Sequence, residues 1–191
     1  MTAPASDTKM ITGKVRLSYA HIWKPRASEE GQDPKYSVCL LIPKSDRDTL
    51  MKIKKCVDAA RNLGVTNLWN GKLPPSLKLP LRDGDAERPD SPEYAGHYFL
   101  NCNSGQKPGI VSTQRDESGW IPIREESEVY SGCYARASIN FFPFSTKGNK
   151  GVGAGLNNIQ KLADGEPLSG RTRPEDDFDS LPDGDDDDFL N

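Results

Sequence analysis

The stretch Cys133–Phe142 alternates strictly between two kinds of side chain. Its odd positions hold only small or apolar residues, namely Cys133, Ala135, Ala137, Ile139 and Phe141. Because side chains in a strand point to opposite faces with a period of two, this pattern predicts a strand with one face in a core. The opposite face would then carry Tyr134, Arg136, Asn140 and Phe142 in one outward row, about 6–7 Å apart.

Shorter segments with the same alternation predict that the rest of the domain is also mainly β. The first has Ile11, Val15, Leu17 and Tyr19 on one face, and the second is Lys35–Ile42. Further strands are predicted at Gly96–Cys102, Gly109–Thr113, Trp120–Ile123 and Val152–Leu162.

A single helix is predicted at about residues 45–63, between the second and third strands. Ser45 and Asp48 have the spacing of a capping box, and Gly64 supplies a stop signal. Between them, Leu50, Ile53, Val57 and Ala60 recur at helical spacing. Short strands, one helix and long loops favour a small Greek-key barrel over a sandwich or a parallel α/β sheet.

The predicted domain spans residues 10–165. Residues 1–9 are expected to form a disordered N-terminus, and residues 166–191 a disordered acidic tail. Residues 65–95 contain five prolines and no sustained periodicity, which predicts a long loop excursion.

Charge is divided unevenly between the body and the C-terminus. The chain has 25 basic and 28 acidic side chains, but residues 175–191 hold nine acidic and no basic ones, so residues 1–174 carry 25 − 19 = +6. This division predicts a body that binds a polyanion and a tail that competes with it. The proposed regulatory residues of the tail are Asp185, Asp186, Asp187, Asp188 and Phe189.

The outward row of Cys133–Phe142 combines stacking surfaces with hydrogen-bonding and charged groups, as a surface for unpaired bases and phosphates requires. Cations on the first strand and in the 147–151 turn would extend it, and two loop tryptophans lie beside cations. The candidate DNA-binding residues are therefore Lys14, Arg16, Trp23, Lys24, Trp69, Lys72, Tyr134, Arg136, Asn140, Phe142, Lys147 and Lys150. Two structural alternatives stay open: Tyr134 and Phe142 cover a second hydrophobic layer, or Trp69 plugs a barrel end.

No pattern for an enzyme, a metal site or a bound cofactor is present in the sequence. The four cysteines have no C-x-x-C spacing, and no nucleotide-binding or triad motif occurs. We therefore expect a non-enzymatic protein with reduced cysteines and no cofactor. The absence of a long apolar run or a signal-peptide pattern predicts a cytoplasmic protein that makes no membrane contact.

Several segments resemble a bacteriophage family once known only as a domain of unknown function. The similar segments are Pro34–Lys44, Val129–Ser138, the phenylalanines at 141, 142 and 144, and Gly151–Gln160. Members of that family are regarded as single-stranded DNA-binding proteins with an OB-fold, and the likeness covers most of residues 10–163. The resemblance implies an OB-fold-like barrel that binds single-stranded DNA in the host cell cytoplasm, with little sequence preference. It also implies a tail that recruits replication or recombination proteins.

Other functions remain as alternatives at this point. The barrel could bind another protein, with a tail that only confers solubility, or it could be a metal-dependent nuclease. Duplex DNA and RNA belong to the same physical class of ligand as single-stranded DNA. The exposed strand edges are also compatible with a homodimer.

Overall fold

The computed structural model describes residues 7–168, which form nine strands and two α-helices. The strands are β1 (Lys9–Ile11), β2 (Val15–Arg26), β3 (Lys35–Pro43), β4 (Leu81–Asp83), β5 (His97–Ser104), β6 (Gly109–Asp116), β7 (Gly119–Pro122), β8 (Tyr134–Thr146) and β9 (Asn149–Ala163). The helices are α1 (Arg47–Asn67) and α2 (Gly84–Glu87), with 3₁₀ turns at Pro92–Tyr94 and Glu126–Glu128.

Five of the strands close into a barrel in the order β2-β3-β5-β9-β8 and back to β2. The β5–β9 pair is parallel, and the other four pairs are antiparallel. This is the strand order of an OB-fold, a Greek-key barrel of five strands. The prediction of a mainly β, OB-fold-like barrel with one main helix is therefore confirmed.

Alternating inward side chains fill the barrel, and α1 covers it. From the strands, Val15, Leu40 and Ile139 are fully buried. From the helix, Ile53 and Ala60 join the same apolar cluster. The helical spacing seen in the sequence therefore identified the face of α1 that packs on the barrel.

Both ends of α1 differ from the sequence prediction. Asp46, rather than Ser45, caps the helix, and its carboxylate accepts a hydrogen bond from the Thr49 backbone N–H at 3.2 Å. Gly64 does not end the helix, which continues to Asn67. Instead, Gly64 makes room for the ring of Trp69, since a Cβ there would lie 2.6 Å from the Trp69 Cη2 atom.

The first predicted strand is also interrupted. Val15 and Leu17 are buried as expected, whereas Ile11 is 52% exposed and Tyr19 is 65% exposed. Ile11 belongs to the separate strand β1, and the β2–β3 register shifts between Ser18 and His21. Tyr19 has a φ of +44° at this bulge, which turns its side chain out of the core pattern.

A second apolar layer covers one half of the outer face of β3 and β5. Cys39 and Leu41 of β3 and Phe99 of β5 pack there against Tyr94, whose ring meets that of Phe99 edge to face at 5.2 Å. Burial raises the pKa of the Cys39 thiol to about 11. Tyr94 belongs to the 65–95 segment, and this segment also contains β4 and α2. Through Tyr94 the segment covers this half of the face.

The cover is attached to β3 by an ion-pair network at its edge. The Lys44 ammonium lies 2.7 Å from a carboxylate oxygen of Asp83 and 2.7 Å from one of Asp85. Lys44 lowers the pKa of both carboxyl groups. These contacts fix β4 and the start of α2 beside the end of β3.

Candidate nucleic-acid interface

The outer face of β8 carries the row of side chains that the sequence predicted. Ala135, Ala137, Ile139 and Phe141 point into the core, and the intervening residues point outward with different degrees of exposure. The two-face prediction for this strand is confirmed. Its role in binding DNA remains a prediction, and the two ends of the row differ in structure.

At one end of the row, aromatic rings lie across glycines of the neighbouring strand. Phe142 pairs with Gly153, and a Cβ at Gly153 would come within 2.7 Å of the Phe142 Cζ atom. Phe144 pairs with Gly151, where a Cβ would meet the Phe144 Cζ atom at 2.9 Å and also the backbone of Lys78. The Phe142 ring is therefore supported from below by backbone, yet 42% of the residue is exposed. An exposed, supported ring of this kind can stack on a base.

At the other end of the row, cations already occupy the Tyr134 ring. The Lys14 ammonium lies 5.3 Å from the ring centroid, and the Arg16 guanidinium lies 5.8 Å from it. Arg16 is fixed further, because it donates hydrogen bonds to the backbone oxygens of Gly132 (3.1 Å) and Glu166 (2.6 Å). This end has positive charge but no freely accessible aromatic plane.

Arg136 lies between the two ends and is oriented by a hydrogen-bond chain. Its Nε donates to Gln160 Oε1 at 2.6 Å, and Gln160 Nε2 donates to the Ser112 carbonyl at 2.9 Å. Arg136 is itself exposed. Its guanidinium is thus held on the surface, where its remaining N–H groups can meet a phosphate.

Strand register connects the Phe142 end to the open half of the β3–β5 face. Asn140 of β8 pairs with Gly155 of β9, which pairs with Asn103 of β5, which pairs with Ser37 of β3. Paired residues point to the same side of a sheet, so these four form a band of small polar groups across four strands. We call them the polar band.

A concavity at the end of the polar band is bordered by cations. Its lining includes Ser37, Asn103, Arg26 and Lys35, together with one carboxylate, Asp33, from the 27–34 loop. Arg26 Nη1 lies 3.4 Å from His21 Nε2. Burial, and then the charge of Arg26, lower the pKa of His21, so the imidazole is neutral at pH 7.

The two predicted loop tryptophans have different environments. Trp23 is half-buried, its indole N–H donates to the Val129 carbonyl at 2.9 Å, and Lys107 lies 5.3 Å from its ring centroid. Trp69 is only 3% exposed, and its indole N–H donates to the Phe144 carbonyl. Of the two alternatives left open for Trp69, the structure contradicts the exposed one, because the ring is buried against Gly64.

The remaining predicted cations lie on the surface at separate places. Lys24 is exposed on β2, close in sequence to Arg26, and Lys72 is exposed in the turn after Trp69. Lys147 lies in the two-residue hairpin turn with Gly148, where the two residues have φ values of +49° and +78°, and Lys150 is the second residue of β9 after the turn. The predicted tail residues Asp185–Phe189 lie outside the described residues.

Sequence reasoning missed Arg26, Lys35, Ser37, Asn103 and Lys107. The pairing of distant strands brings Arg26, Lys35, Ser37 and Asn103 to one concavity, and Lys107 is placed by its contact with the Trp23 ring. Within residues 7–168, no three His, Cys, Asp or Glu side chains are grouped so as to hold a metal ion. None of the helices in the described part of the chain combines the length and apolarity needed to cross a membrane.

The fold and this surface define a class of protein: an OB-fold barrel whose open face lies between the 27–34 loop and the β8–β9 hairpin. In OB-folds the corresponding strands and loops form the oligonucleotide-binding face. A family model described as "Enterobacter phage Enc34, ssDNA-binding protein" matches residues 8–190. The chain belongs to this family of phage single-stranded DNA-binding proteins.

Similar proteins agree with this assignment. A solved single-stranded DNA-binding protein from bacteriophage Enc34, in complex with ssDNA, is 31% identical, with a TM-score of 0.69 over 85% of this chain and 90% of that one. "Putative protein p50" of Acyrthosiphon pisum secondary endosymbiont phage 1 is 28% identical, covering 85% of this chain and 87% of its own length. The single-stranded DNA-binding protein gp2.5 of bacteriophage T7 (14% identity, TM-score 0.59, 91% and 99% covered) shares the fold.

Proposed function

We propose that this protein binds single-stranded DNA, with little sequence preference, along the polar band. The observation that carries the proposal is the exposed Phe142 ring, supported by Gly153 and continuous with Asn140, Gly155, Asn103 and Ser37. Every base has a face that can stack on such a ring, so stacking tolerates any sequence. The small residues beside the ring leave room for a strand to pass.

Cations at both borders of the band would bind the DNA backbone. Arg26 and Lys35 line the concavity at the β2–β3 end, Lys107 lies over the Trp23 ring of β2, and Lys147 and Lys150 lie at the hairpin. None of these five forms an ion pair with another residue of the 7–168 body. Their charges are therefore available for phosphates, and each contact should contribute about 0.7 to the slope of log K against log salt.

Titration of the full-length protein with fluorescently labelled oligo-dT tests the proposal directly. We expect saturable binding that weakens as salt rises, and a smaller salt slope when Lys35 is replaced by Ala. Lys54→Ala is the matched control, because Lys54 lies exposed on α1, away from the band. No binding of oligo-dT in low salt would contradict the function, and equal salt slopes in the two variants would contradict this placement of the DNA.

The acidic tail is proposed to compete with DNA for the cationic surface, and to recruit replication or recombination proteins when DNA displaces it. The support is charge: nine carboxylates follow a body that carries +6 over residues 1–174. Ending the chain at residue 170 should tighten oligo-dT binding and steepen its salt dependence. Unchanged affinity in low salt would count against the competition.

We further propose that the protein acts without enzymatic activity, in the cytoplasm of the phage's host. Incubating labelled single-stranded DNA with the protein and magnesium or manganese tests the first part. Intact oligonucleotide is the expected result. Cleavage that copurifies with the protein would overturn it.

A further inference from the structure

An open groove of about 550 Å³ lies between β1 and α1. Met10, Ile11 and Cys56 contribute apolar surface to it. Ile11 is 52% exposed, although an isoleucine in a strand is usually buried. An apolar recess with a charged rim is typical of a site that receives an apolar side chain from another segment.

Charge on the rim of the groove restricts what it can receive. Lys9, Lys52 and Lys55 lie on the rim, with Asp7 as the one carboxylate in the lining. Among the described residues, none of the three lysines has an ion-pair partner within 4.0 Å. The surface therefore suits a segment with an apolar tip and adjacent acidic groups.

We propose that this groove receives the chain's own C-terminus, with Phe189 and Leu190 against its floor and Asp185–Asp188 facing the lysines. Those six residues are consecutive in the sequence. The four acidic residues match the lysines of the rim, and the two apolar residues that follow match the apolar floor. Burial of the phenylalanine and leucine side chains would stabilise the contact, because it removes their apolar surface from water. Attraction between the aspartates and the lysines adds to this.

The length of the tail permits the contact. The described chain ends at Leu168, which is fixed by a hydrogen bond from its N–H to the Ser131 carbonyl. The 21 residues from there to Phe189 span at most about 70 Å, and about 25 Å as a random coil. A body of this size has a radius of gyration of about 15 Å, so the tip can reach any side of it.

This inference deepens the proposed competition between tail and DNA, and rests on it for its biological role. Lys9 pairs with Asn140 of the polar band, and Ile11 pairs with Ser138 in the outward row of β8. A tail tip in the groove therefore lies beside the path proposed for DNA. The groove would hold Phe189 and Leu190, and the aspartates of the tail would then face rim lysines that lie next to the proposed DNA path.

Alkylation of Cys56 in the full-length protein measures the occupancy of the groove. Cys56 is 6% exposed and lines the groove, whereas Cys102 and Cys133 are fully buried and serve as internal references. With iodoacetamide at fixed pH and peptide mass spectrometry, Phe189→Ser/Leu190→Ser should speed Cys56 alkylation about 5- to 10-fold, the change expected if the tip is bound about 80–90% of the time. The matched control is Phe178→Ser, which removes an aromatic residue from the same tail.

Equal Cys56 rates in the tip variant and the Phe178→Ser control would overturn the proposal. Lys52→Ala should also speed alkylation of Cys56. Lys54→Ala should not, because Lys54 is exposed on α1 and does not line the groove. Protection that disappears on dilution would overturn the assignment to the chain's own tail, because it would point to the tail of a second copy.

Titrating the same samples with oligo-dT separates failure of this inference from failure of the proposed function. Binding of oligo-dT without tip-dependent protection of Cys56 would refute the groove alone. Tip-dependent protection without oligo-dT binding would refute the DNA-binding function and leave the groove assignment intact.

Discussion

The two ends of the outward row on β8 have the same periodicity and the same kind of side chain, but different neighbours. The Tyr134 ring is occupied by Lys14 and Arg16, which come from the chain before and within β2. The Phe142 ring lies on a glycine and keeps 42% of its surface exposed. The pattern within the strand is therefore the same at both ends, and the neighbouring strands decide which aromatic is available.

This difference assigns separate roles to the two ends. At the Tyr134 end, Arg16 bridges to Gly132 and Glu166 and so joins the barrel to the last described residues. At the Phe142 end, the strand carries an accessible ring next to the polar band. We therefore expect substitutions at the Phe142 end to change DNA affinity more than equivalent substitutions at the Tyr134 end.

The largest expected effect comes from removing the support beneath the Phe142 end. Trp69 is buried against Gly64, and its indole N–H reaches the Phe144 carbonyl. Trp69→Ala should lower the free energy of unfolding by about 3–5 kcal/mol, as other large buried truncations do. Urea denaturation measures it, with Trp120→Ala as the control, because Trp120 is 43% exposed. Equal losses in the two variants would contradict the buried assignment of Trp69.

Replacing Phe142 or Tyr134 by leucine tests whether the two ends of the row differ in their contribution to DNA binding. Stacking is worth about 1–3 kcal/mol per base, so Phe142→Leu should weaken oligo-dT binding about tenfold. Tyr134→Leu should weaken it less than about threefold, because that ring is already covered by cations. Anisotropy titrations at one salt concentration provide the measurement. A larger loss at Tyr134 would reverse the roles assigned to the two ends.

A methyl group beneath the ring should have a smaller effect. In Gly153→Ala the new Cβ would lie 2.7 Å from Phe142 Cζ, so the ring must tilt away from its position. We expect affinity for oligo-dT to fall about threefold, with no further loss when Phe142 is already leucine. Gly105→Ala is the control, since a Cβ there meets nothing within 4 Å. Additive losses in the double variant would show that Gly153 does not act through the ring.

The smallest effect is expected at Lys44, which lies at neither end of the row. Lys44→Met should reduce stability slightly, by freeing Asp83 and Asp85, and leave oligo-dT affinity unchanged. Lys44 lowers the pKa of both carboxyl groups, so their contribution is present above about pH 4 and is lost as pH falls through the lowered values. The pKa of Lys44 is raised, so its contribution persists until pH rises above the ordinary lysine range.

Urea midpoints of the wild type and Lys44→Met across pH test this assignment. The difference between them should be constant from about pH 5 to pH 9 and shrink in more acidic solution. A difference that grows in acid would refute the ion-pair explanation. A change in oligo-dT affinity would show that the cover on β3 and β5 also influences the DNA-binding face.

Local pattern was enough to predict most of the barrel. The alternation in Cys133–Phe142 and the helical spacing of Ile53, Val57 and Ala60 each report the face on which a residue lies, and both were right. Three features depended instead on contacts between distant segments. These are the packing of Trp69 on Gly64, the pairing of Asn103 with Gly155, and the cations on Tyr134. No periodicity within one segment contains that information.

Close packing over the glycines of β9 also restricts which substitutions this sequence can accept. Gly153 and Gly155 lie directly under Phe142 and Asn140, so each couple shares one fixed volume. A side chain can enlarge on one strand only if its counterpart shrinks. Homologues should therefore change the sizes of the two paired side chains together, which would leave a signature of paired variation at these two couples.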